Sequence, residues 1–106
     1  MPQVSVVMSV HDQVEPRFLA RAVCSIQGQT FKDFEFTIIA DGQLTSCQQE
    51  ILKRYAAADT RLTILQNDQR MGLAYSMNLG ISLSKSDYIA RMDADDLSGN
   101  VVMAGT

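Results

Sequence analysis

Thiols, imidazoles and long apolar runs are scarce in this sequence, and each scarcity excludes a class of protein. The two cysteines, Cys24 and Cys47, form no C-x-x-C pair. There is thus neither a disulfide framework nor a zinc site, and the expected setting is the reducing cytoplasm. His11 is the sole histidine and has no companion with which to share a metal. The longest uninterrupted apolar runs, Tyr55–Ala58 and Val101–Ala104, are four residues each, whereas a membrane-spanning helix needs about 20. Met1–Val10 lacks a basic flank and is interrupted by Gln3, Ser5 and Ser9, unlike a signal peptide. There are 9 basic and 12 acidic residues, for a net charge of -3, so the positive footprint of nucleic-acid binding is missing. Neither G-x-G-x-x-G nor G-x-x-x-x-G-K-[ST] occurs, which removes the main support for dinucleotide and P-loop readings.

What remains is 106 residues, 46% of them hydrophobic. That is one domain, long enough to bury roughly two-thirds of its unfolded surface. Strand and helix signals alternate. Val4–Val10, Phe34–Ala40, Leu62–Gln66 and Tyr88–Met92 read as strands, the first two apolar enough to be buried on both faces. Pro16 suits a first helical turn, Leu19, Ala22, Val23 and Ile26 share one face, and Gly28 suits the close of that helix. A capping box, Thr45 with Gln48 or Ser46 with Gln49, opens a second helix whose stripe is Cys47, Ile51, Leu52 and Tyr55. Gly72 precedes a third, with Ala74, Met77 and Ile81 inward. Gly80 inside it costs about 1 kcal/mol against alanine, and close packing on a sheet would be the reason to keep it. The expected fold is α/β: an open, doubly wound, mainly parallel sheet in the order β-α-β-α-β-α-β.

Ligands of such sheets bind outside the carboxyl ends of the strands. The segments there are Ser9 to Asp12, Asp41-Gly42, Asn67 to Gly72, and Asp93 to Asp96. Asp93, Asp95 and Asp96 crowd three carboxylates into four residues. Such oxygens suit Mg²⁺ or Mn²⁺, and in an extended stretch Asp93 and Asp95 point the same way. An aspartate after a strand is equally at home as a turn or cap residue. Asp41-Gly42 fits a turn with Gly42 at positive φ, or a carboxylate that accepts a nucleobase N–H. His11 is either a solvated loop imidazole or a flat ring for base stacking. Arg70 is a surface arginine or a partner for a diphosphate. The helix starting near Leu73 offers free N–H groups and a positive dipole end. Asn78 either bonds neighbouring loops or is solvated.

Taken in order, VSVVMSVHD, SIQGQTFKDFEFTIIADG, GLAYSMNLG and SDYIARMDADD resemble the nucleotide-binding half of family 2 glycosyltransferases, which have the GT-A fold. The likeness covers residues 3 to 96. It implies a nucleotide-diphospho-sugar donor, a UDP-sugar first, and a divalent cation, Mn²⁺ or Mg²⁺. By this resemblance Ser9 and His11 sit where the family packs its first loop on base and ribose. Ser9 replaces the usual Pro, His11 the usual Tyr, and Asp12 stands where Asn is commoner. Asp41 matches the base-contacting aspartate, with Ala40 in place of the first member of its acidic pair. Gly42, Arg70, Gly72 and Ala94 complete the donor-binding set. Asp93 matches the carboxylate near ribose and metal, Asp95 the metal-binding one that bridges to the diphosphate, and Asp96 extends the patch.

The implied reaction is sugar transfer to an acceptor hydroxyl, with inversion the expected course. The base that serves it is expected beyond residue 106. The chain therefore reads as a single donor-binding domain, 1–106, truncated before the acceptor half and weak or inactive alone. A homodimer covering the absent half is the expected consequence, and a peripheral site at the inner membrane face is the expected location of a longer protein. The acceptor, a glycan or a lipid-linked sugar, is not specified. Two competing readings remain: a non-catalytic nucleotide-binding or interaction module, and a phospho-receiver-type signalling domain. The latter lacks a lysine after Met92 and has its acidic cluster after the last strand instead of the first.

Overall fold

The computed structural model describes residues 4–27, 34–84, 86, 88–93 and 102–105. Strand β1 (Val4–Val10) is followed by α1 (Pro16–Gln27), β2 (Phe34–Asp41), α2 (Ser46–Ala58), β3 (Leu62–Asn67), α3 (Leu73–Leu83), β4 (Tyr88–Asp93) and β5 (Val102–Gly105). The sheet order is β3-β2-β1-β4-β5. The first four strands are parallel, with Val10 opposite Ala40, Ala40 opposite Gln66, and Ser9 opposite Asp93. β5 runs antiparallel to β4. The doubly wound α/β class is therefore as expected, while β5 is additional: its short apolar run acquires strand identity only by pairing with the edge of β4.

β1 is buried along its whole length, as its nearly continuous apolar run requires at the sheet centre. Alternation then assigns the two faces. Val6, Met8 and Val10 of β1, with Phe36, Ile38 and Ala40 of β2, meet Leu19, Ala22, Val23 and Ile26 of α1 and Leu52 of α2 in one cluster. Each fully buried large side chain there contributes about 1.5–3 kcal/mol relative to exposure. The opposite face is covered by α3, which lies across β1 and β2. Running from β3 back over the sheet to β4, α3 reverses the winding beside β1. That reversal is the switch point at which open sheets form a crevice.

Two helix faces differ from expectation. On α2, Cys47 is exposed and Gln48 is fully buried. The box is the Thr45 one: the Gln48 N–H donates to Thr45 Oγ1 (3.2 Å) and the Thr45 N–H to Gln48 Oε1 (3.0 Å). On α3, Ala74 is exposed, Met77 and Ile81 are half-buried, and the fully buried positions are Ser76 and Gly80. Small residues let this helix lie close to the strands. A Cβ on Gly80 would fall 2.4 Å from Val7 Cγ1, which is the close packing that justifies the glycine. Asn78 is exposed, and Gly28 lies outside the described residues.

Candidate functional site

One buried carboxylate ties the end of β2 to the segment after β3. Asp41 is 4% exposed. Its Oδ1 accepts hydrogen bonds from the Met71 N–H (2.7 Å) and the Asn67 side-chain amide (3.0 Å), and its Oδ2 accepts one from the Gly72 N–H (3.0 Å). Burial pushes this carboxyl up. The Met71 N–H, the Asn67 amide, the Gly72 N–H and the charge of Arg70 together outweigh burial and hold it below the usual 3.8. Asn67, itself buried, donates also to Ser76 Oγ (3.1 Å), so α3 joins the same network. Gln66 Nε2 closes the arrangement by donating to the carbonyls of Gly42 and Asn67, both at 2.7 Å.

Gly42 has φ +89°, and a Cβ there would lie 3.1 Å from the Arg70 backbone nitrogen. Both the left-handed conformation and the close approach thus require glycine. The Arg70 side chain is exposed next to this contact. Gly72, at φ +98°, is the residue from which α3 starts.

At the end of β1, residues 11 to 14 form a turn in which the Val14 N–H donates to the His11 carbonyl (3.2 Å). His11 is half-buried, and its Nδ1 accepts from the Gln13 N–H (3.1 Å), so a neutral ring carries its proton on Nε2. Asp12 is exposed, while Ser9 is buried between Ile39 and Asp93 in register. Asp93 is the last residue of β4. Ala94, Asp95 and Asp96 lie outside the described residues.

The described parts of the four strand-end segments, Asp93 alone in the fourth, therefore come to one edge of the sheet. Two strand spacings and a two-residue offset separate Asp41 from Asp93, about 12 Å from strand geometry. One ion does not bridge that distance, so a ligand that reached both positions would have to be extended. Among the described residues no three His, Cys, Asp or Glu side chains form a cluster able to hold a metal. The donor chemistry of Asp93, Asp95 and Asp96 nevertheless suits Mn²⁺ or Mg²⁺, which take hard oxygen ligands and share them with substrate phosphates. No helix among the described residues is long and apolar enough to cross a membrane. Next to this edge, Asn67, Gln69, Met71, Tyr75 and Leu79 line an open groove of about 560 Å³.

Sequence reasoning did not single out Asn67 or Gln48 as organisers of the site. For Gln48 a signal existed: it stands four residues before Leu52, in the apolar stripe of α2, where a polar residue needs buried partners.

The family model described as Glycosyl transferase family 2 matches residues 5–98. An uncharacterized glycosyltransferase of Methanocaldococcus jannaschii is 36% identical over 97 residues, 92% of this chain and 33% of that protein. The putative glycosyltransferase EpsE of Bacillus subtilis is 40% identical over 98 residues, 92% of this chain and 34% of that protein. An Escherichia coli relative named UDP-Gal:alpha-D-GlcNAc-diphosphoundecaprenol beta-1,3-galactosyltransferase is 30% identical over 100 residues, 92% of this chain and 35% of that protein. This chain spans about a third of the length of these relatives. Among solved structures, a mannosyltransferase of Pyrobaculum calidifontis, in complex with GDP-Man and Mn²⁺, superposes with a TM-score of 0.77 at 19% identity. The superposition covers 89% of this chain and 28% of that one. At that identity the likeness establishes the fold, the GT-A arrangement.

Proposed function

The chain belongs to glycosyltransferase family 2, and from that premise we propose that it forms the donor side of a metal-assisted sugar transfer, holding a nucleotide-diphospho-sugar along the carboxyl ends of β2, β1 and β4. The observation that carries this reading is the convergence of the Ser9–Asp12, Asp41–Gly42, Asn67–Gly72 and Asp93 segments on one sheet edge. The E. coli relative is named for a UDP-sugar and the P. calidifontis structure holds a GDP-sugar with Mn²⁺. We take a UDP-sugar as the donor here.

In this reading Ser9, His11 and Asp12 meet the nucleoside, the imidazole giving a flat face to the base. An ionised carboxylate has about four lone-pair positions. Asp41 accepts three hydrogen bonds from its own chain, which leaves one position on Oδ2 for a base N–H. Gly42 and Gly72 hold the backbone that presents Arg70 to the diphosphate. Asp93, Ala94 and Asp95 flank ribose and diphosphate, with Asp93 and Asp95 the residues that would hold Mn²⁺ or Mg²⁺. When bound, such an ion supplies Lewis-acid stabilisation of the charge on the departing diphosphate.

Titration calorimetry with UDP, in the presence and absence of Mn²⁺, tests the proposal. Metal-dependent binding that disappears in Asp95→Ala, with the far-UV spectrum unchanged, is the expected result. Binding that survives Asp95→Ala makes the acidic segment structural. No binding by the folded wild-type protein overturns the donor-site reading altogether.

A further inference from the structure

We infer that Gln48 is a positioning residue for nucleoside recognition: by hydrogen bonds to two backbone carbonyls of the turn after β1 it fixes where His11 and Asp12 stand. The inference rests on the donor-site reading and adds to it a residue of α2. Gln48 is fully buried. Its Nε2 donates to the carbonyls of His11 (3.0 Å) and Val14 (2.6 Å), and its Oε1 accepts from the Thr45 N–H (3.0 Å). One acceptor and two donors are all used, which is the inventory of a primary amide and of no other side chain of that size. Reversing the amide would aim an oxygen at two carbonyl oxygens, so its orientation is fixed as well.

The backbone of Gln48 is in turn fixed by the capping box at Thr45 and by Leu52 in the core one turn later. Apart from Gln48, the turn has the Val14 N–H to His11 carbonyl bond at 3.2 Å and the Gln13 N–H to His11 Nδ1 bond at 3.1 Å. Both are internal to the turn, so among the described residues its hydrogen bonds to another element come from Gln48, beside the buried Val14 side chain that packs into the core. Gln48 therefore transfers the rigidity of α2 to the segment that carries the proposed base-stacking ring.

The test uses two variants of the whole protein. Gln48→Glu keeps the acceptor for Thr45 and loses both donors; Gln48→Met loses all three bonds at similar volume. Binding of UDP with Mn²⁺ is compared with binding of inorganic pyrophosphate with Mn²⁺, and amide hydrogen exchange is followed at Gln13 and Val14. We expect the Kd for UDP to rise about tenfold, the equivalent of ~1.4 kcal/mol, with the Kd for pyrophosphate unchanged. Exchange at Gln13 and Val14 should quicken while β2 stays protected. Equal loss of UDP and pyrophosphate binding, unchanged UDP binding, or loss of the native fold in both variants overturns the inference. If the wild-type protein binds no nucleotide, the donor-site reading fails and nucleoside positioning fails with it. The exchange measurement then reports separately whether Gln48 holds the turn.

Discussion

Replacing Gly80 with alanine sets two effects of known size against each other. In an exposed helix the substitution stabilises by about 1 kcal/mol, because glycine loses more backbone freedom on folding. Here the new Cβ would lie 2.4 Å from Val7 Cγ1, 3.4 Å from Cγ2 and 3.5 Å from Cβ. An ordinary contact between carbon atoms is about 3.5–4.0 Å, so roughly 1 Å of movement is required. Val7 is fully buried on the central strand. It is β-branched, with few χ1 alternatives, so it does not swing aside easily. Overpacking of this kind costs about 1–3 kcal/mol, and the net expectation is a loss of about 1 kcal/mol. Urea unfolding of wild type, Gly80→Ala, Val7→Ala and the double variant measures it. Val7→Ala alone should cost about 2 kcal/mol in lost burial and cavity. In that background Gly80→Ala should reverse sign and stabilise by about 1 kcal/mol, a coupling of about 2 kcal/mol between the two sites. A stabilising Gly80→Ala in the wild-type background would refute the account of why α3 carries a glycine.

The Asp41 network makes a pH-dependent contribution. Its folded carboxyl lies below the unfolded value, so the stability it confers is fully present above about pH 4, and it is lost as pH falls through the lower folded value. Asp41→Asn should cost about 2–3 kcal/mol at pH 7, since charge-assisted bonds are lost and an amide hydrogen is turned toward a backbone donor. It should also flatten the acid limb of a stability profile; an unchanged difference between about pH 7 and pH 3 would count against the assignment. At the start of α2, Thr45→Ala should cost about 1 kcal/mol and Ser46→Ala less than about 0.5 kcal/mol. The reverse ranking in denaturant melts would relocate the cap.

Much of this architecture is local in origin and could be read along the chain. The β-branched runs, Pro16, the Thr45–Gln48 spacing and the change of period between segments give the strand and helix order without reference to any distant residue. Right-handed crossovers then bring Ser9–Asp12, Asp41–Gly42, Asn67–Gly72 and Asp93 to the same edge, so candidate site segments also followed from order alone. The resemblance in four collinear motifs supplied the family, which the family match over residues 5–98 bears out.

Contacts between distant segments were decided only by the folded chain. Asp41 accepts from Asn67, Met71 and Gly72, 26 to 31 positions away, and Gln48 donates to carbonyls 34 and 37 positions away. Periodicity is blind to such pairings, because a buried polar side chain and a solvated one look alike until its partners are in place. The same holds for α3. Its apolar residues suggested an inward Ala74, whereas close approach to β1 and β2 selected Ser76 and Gly80, the positions where absent bulk matters most. β5 likewise owes its existence to the β4 edge, since a four-residue strand has too few hydrogen bonds to persist without a neighbour.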